Sequence, residues 1–426
     1  MTTYRQPGTV LTDHRFTVPL DHARPDGPTI EVFAREVVAA GKAGRDDLPW
    51  LVYLQGGPGY GSPRPVGRDS WLDRALEDYR VLLLDQRGTA RSTPANRRTL
   101  AGMDPAGQAG YLAHFRADSI VRDAEMVRRA LLGEGRWSVL GQSFGGFCAV
   151  TYLSLAPEGL REVLITGGLP GLDATADDVY RRTYPHVAAK NAAFYDAYPQ
   201  DVEQVRRIAR HLRDNEVRLP AGGLLSVEMF QTLGVMLGMS DGAHRMHYLL
   251  EGAFDGDEPS DVFLRQVEAY TAYAEAPFHA ILHEPCYAQG EGSATRWAAH
   301  RVRAEFPAFD SLEDDAPFPF TGEMVYPWQF EQDPYLVPLR EAAHLLAERD
   351  DWPALYDAGR LAANEVPVAA AVYHDDMYVD RELSLRTAAA VRGLRPWITS
   401  EYEHDGLRNS GGRVLDHLIR MVRGEV

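Results

Sequence analysis

A serine flanked by two glycines, at the junction of two apolar runs, is the feature that most restricts how this chain folds. Residues 137–140 suit a short buried strand, residues 141–145 read Gly-Gln-Ser-Phe-Gly, and residues 147–153 suit a buried helix. The turn between such a strand and helix is so tight that a side chain at either flanking position would clash. The pattern therefore predicts a nucleophile elbow, which lifts the Ser143 hydroxyl above a sheet and points the first helical N–H groups at its target.

Strand and helix patterns alternate around this elbow from about residue 49 to residue 168. An antiparallel pair at a sheet edge is predicted first, from two alternating stretches at 16–20 and 29–34. Buried strands are then predicted at 48–54, 79–84 and 162–166, an amphipathic helix at 120–131, and further strands at 366–373 and 395–400. The alternation predicts an α/β fold with a mostly parallel central sheet and helices on both faces.

Helical periodicity and aromatic residues dominate the interval between these two strand-bearing parts. Helices are predicted there at 179–198, 202–212, 227–237 and 262–273. At 426 residues the chain is also too long for one simple core. We expect a catalytic domain built from residues 1–168 and 346–426, interrupted by a helical cap domain at residues 169–345.

Composition excludes several classes of partner. The net charge of −17 disfavours nucleic acid and anionic membranes, because both would be repelled. The two cysteines, Cys148 and Cys286, cannot form a disulfide framework and fit a reducing compartment. No apolar signal core follows Met1, and no run of about 18 apolar residues occurs. We therefore expect a cytoplasmic protein.

A serine nucleophile needs a base within hydrogen-bond reach and a carboxylate that orients the base. In the α/β-hydrolase fold these follow in the order serine, acid, histidine, each at the carboxyl end of a strand. His404 follows the last predicted strand, and both Asp375 and Asp376 follow the strand before it. Because neighbouring residues at a strand end point opposite ways, the pattern alone leaves the choice of acid open.

His374, Asp375 and Asp376 could also be suspected as a metal cluster. Adjacent side chains do not readily converge on one ion, and no His-x-His or His-x-x-x-His pair accompanies them. We expect neither a metal ion nor a cofactor.

The glycine-rich loop at residues 55–59 follows the strand that should supply the second oxyanion donor. We expect the N–H groups of Gly57 and Phe144 to form the oxyanion hole. A phosphate cradle is the alternative for such a loop, but neither Gly-x-Gly-x-x-Gly nor Gly-Lys-Ser/Thr is present there. Asp85 and Arg87, at the neighbouring strand end, are expected to brace the loop.

Four motifs together resemble the proline iminopeptidase family of serine peptidases, in its longer subgroup with a large cap: Gln55–Gly59, Asp85–Ser92, Gly141–Gly146 and Asp376-Met377. The family usually has His where this chain has Gln55. Its acid directly precedes Met, which selects Asp376 over Asp375. The resemblance implies removal of an N-terminal proline from peptides through an acyl-enzyme, with Ser143, His404 and Asp376 as the catalytic triad.

The resemblance also implies that carboxylates in the cap hold the prolyl amine. Stretches around Glu251 and Glu284 resemble the amine-binding segments of the family, so these two glutamates are expected to act as a pair, with Glu323 as a third candidate. Tyr287 is expected to line the pyrrolidine pocket, although aromatic residues also fill ordinary cores.

Two other functions stay open at this point. A carboxylesterase or amidase would use the same fold and triad, and a non-catalytic binding protein would keep the scaffold with a decayed site. We expect the substrate to be a peptide or small molecule with an N-terminal proline. Because the base must be a neutral imidazole, activity is expected to fall below neutral pH.

Overall fold

Thirteen strands are present in the residues that the computed structural model describes, which are 2–66, 70–310 and 316–426. They are β1 (Thr2–Gln6), β2 (Thr9–Pro19), β3 (Thr29–Ala39), β4 (Trp50–Leu54), β5 (Arg80–Asp85), β6 (Trp137–Gln142), β7 (Leu160–Thr166), β8 (Phe254–Asp255), β9 (Glu258–Pro259), β10 (Gly290–Glu291), β11 (Asp351–Trp352), β12 (Val368–Tyr373) and β13 (Leu394–Thr399).

Nine of these strands form one sheet, in the order β1-β2-β3-β5-β4-β6-β7-β12-β13. Within this sheet, neighbouring strands pair in parallel along β5-β4-β6-β7-β12-β13. By contrast, β1, β2 and β3 pair antiparallel, and β3 joins β5 antiparallel. The predicted mostly parallel sheet is confirmed. The predicted edge pair corresponds to β2 and β3, which are longer than expected. A further strand, β1, lies outside them. It was not predicted, because its polar, largely exposed residues show no apolar alternation.

Helices cover both faces of the sheet and fill most of the interval before β12. They are α1 (Ser70–Asp78), α2 (Pro105–Leu112), α3 (Ala117–Leu132), α4 (Phe144–Leu155), α5 (Ala176–Ala197), α6 (Asp201–Asp214), α7 (Val227–Gln231), α8 (Gly242–Glu251), α9 (Asp261–Thr271), α10 (Pro277–Leu282), α11 (Ala298–Arg303), α12 (Gln329–Gln332), α13 (Arg340–Glu348), α14 (Ala358–Ala362), α15 (Arg381–Ala390), α16 (Gly406–Asn409) and α17 (Arg413–Val422). Among the described residues, none of these helices has both the length and the apolar character needed to cross a membrane.

The sheet separates two hydrophobic cores because successive strand side chains point to opposite faces. On β6, Val139 packs in one core with α3 and α4, whereas the next residue, Leu140, packs in the other with α1 and α17. Because the strands along β5-β4-β6-β7-β12-β13 are parallel, their carboxyl ends meet at one edge of this doubly covered sheet.

A third core lies within the helical interval. It contains aromatic residues such as Tyr184 and Phe230, together with Met377 and Tyr378 from the loop after β12. Other parts of the interval, including apolar residues of α10 and α13, pack in the core shared with the sheet. The division into catalytic and cap domains at residues 168 and 345 stays a prediction.

Candidate active site

Ser143 occupies a sharp turn between β6 and α4. Its backbone has φ 55° and ψ −126°, a conformation that a residue with a side chain rarely adopts. A Cβ at Gly141 would lie 2.4 Å from the carbonyl oxygen of Gly145, and a Cβ at Gly145 would lie 1.9 Å from that of Leu54. Both contacts are too close for any side chain, which is the steric requirement that the sequence pattern predicts.

His404 and Asp376 form a buried hydrogen-bonded pair. Nδ1 of His404 donates to Oδ2 of Asp376 at 2.7 Å. The other carboxylate oxygen accepts the N–H groups of Tyr378 at 2.9 Å and Val379 at 3.1 Å. The carboxylate is thus held on both oxygens, and it fixes the tautomer of His404 that leaves Nε2 free to accept a proton.

Two consecutive glycines after β7 lie between this pair and Ser143. A Cβ at Gly168 would lie 2.3 Å from the carbonyl oxygen of Ser143, and a Cβ at Gly167 would lie 3.1 Å from Nδ1 of His404. The N–H of Ser143 also donates to the carbonyl of Thr166 at 3.0 Å. The structure therefore places Ser143 and His404 against the same short segment at the end of β7, and sequence reasoning had not singled out these glycines.

The two adjacent aspartates after β12 have different surroundings. Asp375 is exposed and hydrogen bonds to His374 at 2.8 Å, whereas Asp376 is buried against His404. The geometry thus agrees with the choice of Asp376 that the family resemblance implied.

Opposing influences act on the pKa of His404. Burial by itself would lower it, but the charge and hydrogen bond of Asp376, with a contribution from the charge of Glu323, outweigh burial and raise the pKa above its usual value. The protonated imidazole is therefore stabilised, which suits a base that must carry a proton during the reaction.

The loop at residues 55–59 lies directly beside the nucleophile. A Cβ at Gly56 would lie 2.7 Å from Cβ of Ser143, and Gly57 has φ 125°, which favours glycine. Phe144 is the first residue of α4, where an N–H has no acceptor within the helix. Gln55, the departure from the family pattern, accepts a hydrogen bond from the Tyr53 hydroxyl at 2.9 Å and is tied into the loop.

Asp85 braces the segment that follows this loop, but Arg87 does not. Asp85 accepts the N–H of Ser62 at 3.0 Å and pairs with Arg64. Arg87 instead forms a buried ion pair with Asp123 on α3 and donates to the carbonyls of residues 19, 20 and 114. The prediction that Arg87 braces the oxyanion loop is wrong, because its long side chain reaches across to the end of β2 and to α3.

Glu251 and Glu284 are each engaged by a different helix. Both carboxylate oxygens of Glu284 accept N–H groups at the start of α11, from Ala298 at 3.0 Å and Ala299 at 2.9 Å. Burial raises the pKa of Glu284, against the lowering effect of these donors. Glu251 is exposed at the end of α8 and pairs with His247 at 3.3 Å. Instead of the expected amine-binding pair, the structure gives the two carboxylates separate structural partners.

Glu323 lies in a different setting, beside two histidines. Its Oε2 is 3.5 Å from Nε2 of His283, and one ligand atom each from Glu323, His283 and His279 lie within 4.8 Å of one another. Burial would raise the pKa of Glu323, but the hydrogen bond and charge of His283 and the charge of His279 outweigh it and lower the pKa. Burial and the neighbouring His283 lower the pKa of His279 to about 4.

His279 also contacts the oxyanion loop. Its Nδ1 donates to the carbonyl of Pro58 at 2.9 Å, and a Cβ at Gly59 would lie 2.5 Å from its backbone nitrogen. Sequence reasoning missed both His279 and His283, although their spacing of four residues was a visible signal for two side chains on one helical face.

Tyr287 packs between the elbow helix and this histidine pair. Its ring centroid is 6.1 Å from that of Phe147 and 5.9 Å from that of His283. Phe147 in turn lies 6.2 Å from Phe144, the residue after the nucleophile. The structure thus brings Tyr287 and Glu323 to the His279–His283 side of the elbow.

The segment at residues 235–240, which is the end of a 3₁₀ helix and the turn after it, holds the loop that carries His404. The N–H of His404 donates to the carbonyl of Gly238 at 3.3 Å. The N–H and hydroxyl of Ser240 donate to Oδ1 of Asp405, at 3.1 Å and 2.6 Å. The Tyr378 hydroxyl donates to the carbonyl of Val235. The position of the base therefore depends on contacts from outside the sheet.

Comparison with known proteins identifies the family of this chain. A family model described as the alpha/beta hydrolase fold matches residues 49–214. The proline iminopeptidase of Aeromonas sobria is 52% identical over 411 residues, covering 96% of each chain. A proline iminopeptidase of Aspergillus aculeatus is 38% identical over 432 residues, covering 99% of this chain and 95% of that protein.

Among solved structures, the proline iminopeptidase of Mycobacterium smegmatis has a TM-score of 0.45 at 15% identity, covering 97% of this chain and 100% of that one, a likeness too weak to add to the assignment. The two sequence relatives extend over nearly the whole length of the chain. On that similarity, the chain belongs to the proline iminopeptidase family of α/β hydrolases.

Proposed function

We propose that this chain is a serine exopeptidase that releases N-terminal proline from peptides through an acyl-enzyme intermediate. Family membership supports the reaction, and the elbow at Ser143 with the buried His404–Asp376 pair supports the chemistry. The observation that carries the choice of an aminopeptidase is the position of the Glu323 carboxylate. It lies 3.5 Å from Nε2 of His283 and in one cluster with His279, whose Nδ1 donates to the carbonyl of Pro58 beside the elbow.

In the proposed reaction, Nε2 of His404 takes the hydroxyl proton of Ser143 as the serine oxygen attacks the prolyl carbonyl carbon. Asp376 stabilises the imidazolium that forms, and the N–H groups of Gly57 and Phe144 hold the oxyanion. The tetrahedral intermediate collapses when His404 returns the proton to the leaving peptide nitrogen. Water then repeats the attack on the prolyl ester and regenerates the free serine.

Recognition of the substrate begins at its charged amine. The prolyl nitrogen is a secondary ammonium, and Glu323 would accept a charge-assisted hydrogen bond from it. Holding the amine at a fixed distance from Ser143 allows the carbonyl of the first residue alone to reach the nucleophile, which makes the enzyme an exopeptidase. Tyr287 and Phe147 would line the pyrrolidine ring with apolar surface.

The helical interval at residues 169–345 would act as the cap over this site, on a catalytic domain formed by residues 1–168 and 346–426. In support, Glu323, Tyr287 and the segment that holds the His404 loop all belong to the interval. Peptides with an N-terminal proline, rather than nucleic acid or membranes, would be the partners of this protein. The two cysteines are free and buried, which fits a reducing compartment, and we propose the cytoplasm as the site of action.

The test compares three substrates: a prolyl arylamide, its N-acetylated form and a short acyl nitrophenyl ester. The prolyl arylamide is expected to be turned over and the N-acetylated form to be refused, because acetylation removes the charge that Glu323 binds. Loss of one charge-assisted hydrogen bond corresponds to about 1.5–3 kcal/mol, so Glu323→Gln should lower kcat/KM for the prolyl arylamide by about 10- to 150-fold.

Ester turnover should be affected much less by Glu323→Gln, since the ester carries no amine. Glu251→Gln is the matched control, because the exposed carboxylate of Glu251 pairs only with His247 of its own helix in the residues that the structure describes. This variant should leave all three rates near wild type. Faster turnover of the ester or the N-acetylated substrate than of the prolyl arylamide would favour the carboxylesterase or amidase instead.

A further inference from the structure

His279, His283 and Glu323, hereafter the His-His-Glu cluster, have the composition of a metal site. We propose that this cluster binds a divalent transition metal ion such as Zn²⁺, and that the bound ion blocks the amine subsite and inhibits the enzyme reversibly. The inhibition rests on the proposed function, whereas the binding of the ion does not. Within the described residues, it is the one group of three His, Cys, Asp or Glu side chains with ligand atoms within 4.8 Å of one another.

The backbone arranges the three side chains to converge. His279 lies in α10 and His283 one turn later, where its N–H donates to the carbonyl of His279 at 3.0 Å, so both imidazoles project from one face. Glu323 approaches from a separate segment and already stands 3.5 Å from Nε2 of His283. Ligand atoms about 2.0–2.1 Å from a tetrahedral ion are roughly 3.4 Å apart, so closure requires side-chain movements of about 1 Å.

The chemistry of the donors selects the class of ion. Two imidazoles and one carboxylate suit Zn²⁺ and its neighbours in the first transition row, whereas Mg²⁺ and Ca²⁺ prefer oxygen ligands. Three protein ligands also leave a fourth position open, as in zinc sites that bind water or a small ligand.

The second ring nitrogen of each histidine has a partner that orients the first. Nδ1 of His279 donates to the carbonyl of Pro58 at 2.9 Å, which leaves Nε2 with its lone pair. Nδ1 of His283 lies 3.1 Å from the hydroxyl of Tyr180, which can accept a hydrogen bond from Nδ1–H and so leave the lone pair on Nε2 for a metal. Such outer hydrogen bonds accompany almost all metal-binding histidines.

An ion at this position would occupy the carboxylate that the substrate amine needs. It would also place a positive charge where the prolyl ammonium must sit, so metal and substrate exclude each other. Metal inhibition should therefore raise KM for a prolyl arylamide and leave kcat unchanged.

The binding test uses the Ser143→Ala variant after chelator treatment, so that no turnover is needed. Titration calorimetry with Zn²⁺ should show one ion per chain, and Co²⁺ should give the visible absorption of a tetrahedral site. Adding Glu323→Gln or His279→Gln should weaken binding at least tenfold. Adding His300→Gln, an exposed histidine on α11, should leave binding unchanged.

Circular dichroism of each variant shows whether it is folded. Because Glu323→Gln keeps the shape of a half-buried side chain, this variant still tests metal binding if a histidine variant unfolds. Absence of stoichiometric Zn²⁺ binding, or binding that is unaffected by Glu323→Gln, would overturn the metal site. Binding that depends on the cluster but leaves prolyl arylamide turnover unchanged would overturn the inhibition, and it would also show that the amine is held elsewhere.

Discussion

The pH dependence of the proposed reaction should follow the protonation of His404. In the proposed reaction its neutral form acts as the base, and that form is lost as pH falls through a pKa that Asp376 raises above the usual value of about 6.5. The rate constant kcat/KM for a prolyl arylamide should therefore fall on the acid side with a midpoint above about pH 6.5. A rate that stays flat down to about pH 5 would rule out His404 as the base.

The two neighbouring aspartates offer a matched pair of substitutions. Asp376→Asn removes the charge and the acceptor that hold the correct tautomer of His404, and it should lower kcat by about 10⁴-fold, as expected for the acid of a triad. Asp375→Asn changes an exposed side chain bonded to His374 and should leave kcat within about twofold of wild type. Steady-state kinetics on the two variants decide between them, and equal losses would contradict the assignment.

Some positions in the candidate site could be predicted from the sequence and others could not. The order of Ser143, Asp376 and His404 along the chain was readable, because strand ends in a parallel sheet meet at one edge. The position of Glu323 beside His283, away from Glu251 and Glu284, was not readable, because that contact depends on how two separate segments of the chain pack together.

The strand-to-helix turn around Ser143 depends on the close approach of Gly145 to β4. A methyl group at Gly145 would lie 1.9 Å from the carbonyl oxygen of Leu54, so Gly145→Ala must push β4 and α4 apart. We expect a loss of about 1–3 kcal/mol in the free energy of unfolding and severe loss of fluorophosphonate labelling at Ser143.

Gly110→Ala is the control for this prediction. Gly110 lies in α2, is exposed, and has open space where a methyl group would be. Alanine there should stabilise the protein by about 0.5–1 kcal/mol and leave labelling intact. Urea unfolding of both variants gives the comparison, and a Gly145→Ala protein that labels like wild type would contradict the packing argument.

The segment at residues 235–240 should position the loop that carries the base. Ser240→Ala removes the 2.6 Å hydrogen bond from its hydroxyl to Asp405 and should lower kcat about threefold or more, with KM nearly unchanged. Ser260→Ala is the control, because it also removes a hydroxyl hydrogen bond, to the carbonyl of Gly252 at 2.6 Å. Ser260 caps α9, away from the His404 loop. It should cost about 1 kcal/mol of stability without lowering kcat. Equal kcat losses in both variants would contradict the positioning role.

At the level of the molecule, the sheet and the helical interval should unfold together. Residues of α10 and α13 lie in the core that also contains β4, β6 and β7, so the interval cannot separate without exposing that core. We expect tryptophan fluorescence and far-ultraviolet circular dichroism to report one coincident urea transition. Two separated transitions would indicate that the interval is an independent folding unit.

The architecture was largely predictable and the packing between its parts was not. Runs of apolar residues predicted the parallel strands because a strand covered on both faces is apolar throughout, as in β4 and β12. The placement of α10 against the oxyanion loop was not predictable, because it depends on contacts such as that of His279 with Pro58, far apart in the chain.

The decisive measurement is turnover of a panel of aminoacyl arylamides by the wild-type protein and by Ser143→Ala. We expect wild type to hydrolyse the prolyl member with the highest kcat/KM of the panel, and Ser143→Ala to lose this activity by about 10⁶-fold, as when the nucleophile of a triad is removed. Preference for another amino acid, or prolyl turnover that persists in Ser143→Ala, would contradict a proline-specific serine peptidase.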